Sequence, residues 1–295
     1  MIASTPSLLP SWSPPIAVNA SLGLSILVYA AGWIRLRRAF PRLISGRRLV
    51  AFLVGIAGIW CAIGSPLEAF DDLSLTVHMV QHVLLMSVAP PLILLGWPAV
   101  PLLRGLPRWL VRRVIGPVSR SATFKRLAGA IAHPFVCWSA AAIALVAWHV
   151  PTLFEAALRW DWLHELEHAS FLAAGLLFWW PVVQPWPSTS RWPRWSVVLY
   201  LFCATLPCDV LSAFLVFCGR VVYPSYLSAT PLFGFSPLQD QECAASLMWV
   251  AVTLILLVPA AMVTIEILSP TEPRFSEVPR AVPPEIAEGD AFVIR

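Results

Sequence analysis

Charge is what this sequence has least of. Only 12% of its 295 residues are Asp, Glu, Lys or Arg, against 58% hydrophobic, and the mean hydropathy is +0.75. That balance excludes an ordinary soluble globular protein and puts the chain in lipid. The sequence also lacks a glycine-rich phosphate loop, a C-x-x-C pair, an internal repeat and any soluble catalytic domain. Its partners are therefore expected to be the bilayer and other membrane proteins, not nucleic acid. Strand-like alternation is missing as well, so a closed transmembrane barrel, the other architecture that satisfies the backbone in hydrocarbon, is not expected.

What is present is a set of long apolar runs. About 20 mainly apolar residues cross a bilayer as a helix, and seven stretches qualify: 16–34, 48–66, 77–97, 133–150, 164–183, 196–218 and 243–268. The predicted fold is an all-α, polytopic transmembrane helical bundle forming one domain over residues 1–268. A polar, Pro- and Glu-rich tail, 269–295, has too few apolar residues to pack and is expected to be disordered. Fifteen of the 20 basic residues fall in the first, third and fifth loops, among them Arg35, Arg42, Arg48, Arg112, Lys125 and Arg191. The alternate loops carry Glu68, Asp71, Asp72, Glu155, Asp161, Asp240 and Glu242. Positively charged loops stay inside, which predicts an outer N-terminus and a cytoplasmic C-terminus. The first apolar run has its basic residues after it, not before, and reads as a retained span and not a cleaved signal.

Secondary features follow the same logic. Leu106, Trp109, Leu110 and Val114 alternate with Arg108, Arg112 and Arg113, which predicts either a helix on the anionic leaflet or a solvated basic loop. Pro90-Pro91, Pro207 and Pro259 are expected to bend their spans. Tryptophans near span ends, Trp12, Trp97, Trp148, Trp160, Trp162, Trp186 and Trp192, suit interfacial belts. Most of the six cysteines sit within spans, whereas Cys218 and Cys243 approach the outer face, as a disulfide pair or as soft ligands.

The histidines carry the functional signal. Five of six lie at the outer ends of predicted spans: His78 and His82 in HMVQH, His149 before Pro151, and His164 and His168 in HELEH. Residues four apart share a helix face, so each pair presents two imidazoles in one direction, and two such helices side by side make a three- or four-nitrogen metal site. His133 lies at the opposite end and belongs to no pair. Imidazole suits copper, zinc, iron and nickel, with sulfur favouring Cu(I); Met79, Met86, Met248, Cys218 and Cys243 lie on the same half. Glu165, Glu167 and Asp240 are candidate outer-shell acceptors or ligands. A hydrogen-bonded polar network or a proton path is the other reading of the same residues. His164-x-x-Glu167-His168 also fits an inverted zinc-protease motif, though no third ligand is evident. Facing histidines can clamp a haem iron, which leaves the i, i+4 doubling unexplained.

The ordered motifs resemble the CtaG family of caa(3)-type cytochrome c oxidase assembly factors. The likeness rests on His78-Met79-Val80-Gln81-His82 with Leu84-Leu85 and Pro90-Pro91-Leu92, and on Trp148-His149-Val150-Pro151 with Glu155-Ala156-Ala157. It continues through His164-Glu165-Leu166-Glu167-His168 with Phe171 and Phe178-Trp179-Trp180-Pro181, then Tyr223-Pro224-Ser225-Tyr226, Asp240-Gln241 and Met248-Trp249. It implies a multi-pass, non-catalytic membrane protein that matures a haem-copper oxidase, handling copper for its metal centres and meeting oxidase subunits in the membrane. A haem-binding or metal-dependent membrane oxidoreductase is the alternative. After Asp240-Gln241 the family pattern favours two glycines; Glu242-Cys243 and Ala244-Ala245 stand here instead.

Overall fold

The computed structural model describes residues 12–40, 44–185, 192–229 and 234–269. The tail from 270 onward, Arg42, Trp186 and Arg191 lie outside them. The described residues are helical, without a strand: α1 (Ile16–Ala39), α2 (Gly46–Ile63), α3 (Leu75–Leu95), α4 (Ala99–Gly105), α5 (Ala122–Ile131), α6 (Pro134–Trp148), α7 (Pro151–Arg159), α8 (Asp161–Val183), α9 (Arg194–Phe217) and α10 (Pro237–Leu268). Among them, α1, α2 with the turn that follows it, α3, α8, α9 and α10 are long and apolar enough to cross a membrane.

The fourth expected span departs from its prediction. α6 covers 15 residues, about 22 Å at 1.5 Å per residue, which falls short of a hydrocarbon core of about 30 Å. It reaches spanning length only together with α5, from which it is bent by 61°. His133-Pro134 explains the break: the residue before a proline is pushed out of the helical region, and His133 is extended (φ −67, ψ 129) and caps α6 by accepting the Phe135 N–H at Nδ1. α5 and α7 were both expected as loop. The stretch from Arg108 to Arg120 is helical, in line with the first of the two readings of its alternating pattern and not with a loop, with a π turn at Val111–Ile115.

Apolar side chains such as Leu27, Val210, Phe217 and Val258 point outward, as they must where the solvent is lipid. Trp160, Trp162 and Trp192 are exposed near helix ends, as belts require. Trp148 is not a belt residue, because it is buried and its indole N–H donates to Ser170 Oγ at 2.7 Å. Cys218 and Cys243 are free thiols, not a disulfide. Ala244 and Ala245 are both buried where α10 packs on Cys208 and Leu215 of α9, so alanine suffices for close approach there.

α3 is the organising helix. Pro90 offers no N–H to the Met86 carbonyl, the helix widens into a π turn at Leu84–Val88, and that carbonyl accepts the Trp179 indole N–H of α8 at 3.2 Å instead. Beside it, Gly175 lets α8 approach closely: a Cβ there would stand 2.5 Å from the Met86 oxygen and 2.8 Å from the Pro90 ring. Small residues play this part in membrane helix packing generally. Gly175→Val is expected to force the two helices apart and to destabilise the protein by about 1–3 kcal/mol; thermal unfolding in detergent micelles, compared with wild type, checks it.

Candidate metal centre

The N-terminus of α3 is held by another helix. Asp240, in the first turn of α10, accepts from Leu75 N at 2.7 Å, Thr76 N at 3.3 Å, Ser74 Oγ at 2.9 Å and Thr76 Oγ1 at 2.6 Å. α10 is itself capped by Ser236 and Gln239 in a reciprocal box. A carboxylate at the positive ends of two helices is well placed electrostatically. Its oxygens are thus engaged by the α3 backbone and hydroxyls, not by the histidines as expected. Asp240 fixes the rotation of α3, and with it the direction in which HMVQH points.

That direction is inward, onto α8. The ring centroids of His78 and His82 are 4.4 Å apart, those of His164 and His168 4.3 Å, and the two pairs meet at 5.3 Å (His78–His164) and 5.8 Å (His82–His168). His149, at the end of α6, lies 6.0 Å from His82. All five predicted histidines therefore converge. His133 stands apart at the far end of α6 and packs edge-on against Trp192. The cluster is an interior, however, and not an exposed rim: His78, His82, His149 and His168 are buried, and only the His164 side chain, 21% exposed, reaches the surface.

Two carboxylates complete the cluster. Glu167, fully buried one turn before Ser170, places Oε1 3.3 Å from His82 Nε2 and 3.8 Å from His78 Nε2. Asp71, in the turn between α2 and α3, places Oδ2 3.7 Å from His164 Nε2. Two sets of donor atoms lie mutually within 4.8 Å, one from Asp71, His78 and His164, the other from His78, His82 and Glu167. Burial and the neighbouring Asp72 push the Asp71 carboxyl up to about 7. A cation beside it would act in the opposite sense.

The remaining expected ligands are dispersed. Glu165 is exposed on the outer side of α8. Met248 is buried in the α9–α10 contact, where its carbonyl faces Cys208 Sγ at 4.0 Å. Cys243 belongs to neither donor set. Met79 packs against His149, with Sδ 3.4 Å from Nε2.

Three residues of the site were not expected in these roles. Asp71 is expected, with Asp72, to attract a cation from the outer side, and not to stand among the donors beside His164. Tyr223 and Tyr226 act as clamps: the Tyr223 hydroxyl donates to the His149 carbonyl at 3.1 Å, and the Tyr226 hydroxyl donates to the Asp71 carbonyl at 2.9 Å. Glu155 of α7 holds the tyrosine turn by accepting from Ser225 N and Ser225 Oγ. Gln241 holds its approach by accepting from Val222 N and donating to the carbonyls of Leu215 and Arg220. The Tyr223-Pro224-Ser225-Tyr226 and Asp240-Gln241 strings were visible in sequence, but nothing in their spacing says which backbone they grip.

The chemistry of the donors decides what they suit. Among the described residues, twelve buried side-chain nitrogens and oxygens have no hydrogen-bond partner, and nine belong to this cluster: both nitrogens of His78 and of His82, both oxygens of Glu167, His164 Nε2, His168 Nε2 and Asp71 Oδ2. A buried donor or acceptor without a partner is costly, so these atoms call for a ligand or water. Imidazole and carboxylate lone pairs directed at a common centre are what a first-row divalent or cuprous ion binds. The residues present fit a metal ion.

Fold and site define a multi-pass helical membrane protein with an imidazole–carboxylate cluster enclosed between its helices. Its sequence matches the cytochrome c oxidase caa3 assembly factor family (Caa3_CtaG) over residues 27–269, and the chain belongs to that family. Uncharacterized proteins of Mycobacterium bovis and Mycobacterium tuberculosis are each 27% identical over 270 residues, which is 86% of this chain and 39% of theirs. One of Mycobacterium leprae is 27% identical over 198 residues, 61% of this chain and 27% of its own length. The chain thus spans about two fifths or less of these relatives. No solved structure matches it.

Replacing Asp240 by Ala leaves the α3 amides and two hydroxyls without their acceptor. The expected loss is about 1–3 kcal/mol of stability, with α3 free to rotate and metal retention reduced. Thermal unfolding and metal content of the purified variant check both.

Proposed function

We propose that this protein binds copper as cargo at the cluster of Asp71, His78, His82, His164, Glu167 and His168 and hands it to a haem-copper oxidase during assembly, in a bacterial cell membrane. The observation that carries the reading is the convergence of nine unpaired buried donor atoms on one another. A self-sufficient hydrogen-bonded network would pair those atoms. Family membership supplies the oxidase, and copper is the ion for which imidazole-rich sites have the highest divalent affinity.

Asp72, Glu68 and Glu165 ring the side on which His164 is exposed, so that face is negative and draws cations. His164 and Asp71 receive the ion. His78, which belongs to both donor sets, passes it inward to His82 and Glu167 by ligand exchange. With the N-terminus outside, as the charge bias requires, this mouth opens on the extracytoplasmic side. Docking with an oxidase subunit in the membrane then offers the ion competing ligands, and no covalent step is needed. Haem is disfavoured because Phe154, 4.9 Å from the His78 ring, and Phe171, 4.2 Å from the His82 ring, fill the flanks that a macrocycle would occupy. In the protease reading, Glu167 would have to activate water, yet it faces two further imidazoles on α3.

Metal analysis of purified wild type beside the His78→Ala/His168→Ala double variant tests the reading. Wild type is expected to hold copper stoichiometrically and the variant to lose most of it. Equal copper in both overturns the site. A membrane-impermeant thiol probe at residue 161 is expected to label from outside; labelling only from the cytoplasm overturns the proposed direction of loading.

A further inference from the structure

His149 differs from the other four histidines in having both nitrogens engaged. Its Nδ1 lies 2.7 Å from the Leu145 carbonyl oxygen. A carbonyl oxygen only accepts, so Nδ1 carries the proton. No carboxylate stands at ion-pair distance among the described residues, and the ring is enclosed by Leu145, Met79 and Phe171. In the neutral ring this tautomer leaves the lone pair on Nε2.

That lone pair faces the thioether sulfur of Met79 at 3.4 Å. With no proton on either atom, the contact is not a hydrogen bond. It differs from the usual methionine–ring contact too, in which sulfur sits about 5 Å from the ring. Met79 is 1% exposed and fixed between His78 and His82 on α3. The His149 backbone is fixed by the Tyr223 hydroxyl on its carbonyl. Two soft-to-borderline donors are thus held face to face by elements on which neither depends for its own fold.

Their spacing suits a shared ion. With bonds of about 2.0 Å to nitrogen and about 2.3 Å to sulfur, as zinc makes, a separation of 3.4 Å closes at roughly 105°, near the tetrahedral angle. His82, three residues after Met79 on the same helix, adds a third donor: its ring is 6.0 Å from that of His149, and while Nε2 lies 3.3 Å from Glu167 Oε1, Nδ1 has no hydrogen-bond partner. A set made of imidazole and thioether donors favours a soft monovalent ion over a hard divalent one.

We propose that Met79 Sδ and His149 Nε2, with His82, form a second, softer metal position that takes a cuprous ion, inward of the carboxylate-bearing cluster. The inference rests on the metal-binding reading above and specifies its cargo. His82 belongs to both positions, so the ion moves between them by exchanging ligands around one imidazole. It arrives and leaves as Cu(I), and no electron is transferred.

The test uses the full-length protein in detergent micelles under anaerobic conditions. Cu(I) is titrated against a chromophoric cuprous chelator, X-ray absorption is recorded at the copper edge, and Co(II) binding is followed in parallel by its visible absorption. Wild type is expected to show a sulfur scatterer on Cu(I). Met79→Leu is expected to lose it and to bind Cu(I) about tenfold or more weakly, the scale on which even outer-shell losses act, while Co(II) binding is unchanged. A wild-type spectrum with nitrogen and oxygen scatterers alone overturns the proposal, whether or not the variant folds. So does sulfur scattering that persists in Met79→Leu, which would implicate another sulfur. A protein that binds Co(II) but shows no sulfur on copper loses this inference and keeps the metal cluster; one that binds neither ion loses both.

Discussion

Everything around the cluster depends on holding nine unpaired polar atoms in a lipid-bound protein's interior. Left alone, such atoms would draw the helices apart toward water or new partners, because a buried donor or acceptor without a bond is costly. The surrounding structure resists this with bonds of its own. Asp240 ties α3 to α10, Tyr223 and Tyr226 tie the turn after α9 to His149 and Asp71, and Trp179 ties α8 to the carbonyl that Pro90 leaves free. Backbone and second-rank side chains are thoroughly paired, while the first-rank donors are not. That asymmetry is how a site keeps its lone pairs for a ligand.

The architecture was largely legible in the sequence, for physical reasons that also mark where legibility stopped. Composition identified the solvent, and spacing at i, i+4 with charge bias brought His78, His82, His149, His164 and His168 to one end while leaving His133 at the other. These are local signals: they depend on helix geometry and on span counting. Asp71 escaped because its role follows from an approach to His164 across a gap of ninety-odd residues. Asp240 was assigned to the histidines because acids near histidines usually serve them; its partners lie 164 to 166 residues away in sequence, where no periodicity reaches. α7 escaped for a different reason. Nine residues between two helices, with Phe154 and Ala157 buried, Arg159 exposed and Glu155 turned to Ser225, are too short and too polar for a hydropathy window. The fourth span was expected to begin at His133, where the proline stands; the helix Ala122–Ile131 that precedes it across a 61° bend was not.

The depth of the cluster changes what its histidines can be. Imidazoles on an open rim would be solvated ligands, free to exchange with bulk ions and of modest affinity. Rings buried between α3 and α8, with one partly open member at His164, make a site with a mouth and an interior. Carboxylates Asp71 and Glu167 lie against different imidazoles, so the hard donors are spread along the path rather than gathered into one cage. A closed structural site of the zinc type would assemble four ligands around one point. Here at least two overlapping sets share His78. Overlap weakens any single position and lowers the barrier between neighbours, which is a disadvantage for retention and an advantage for transfer.

The proposed transfer would also account for the packing of α3. A helix carrying donors on two successive inward turns, at His78 and His82, needs its orientation set from both ends, since a rotation by one residue would swing each imidazole about 100° away from α8. Asp240 fixes the N-terminal end and the π turn with Trp179 and Gly175 fixes the other. The intervening segment, Leu75 to Val83, is regular helix. Rigidity at both ends keeps successive donors at fixed separations of 4–6 Å, short enough for an ion to be held by the next imidazole before it leaves the last. The cost of the unpaired atoms is thereby confined to one stretch of α3 and its facing turn of α8. The remainder of the bundle is left to meet lipid.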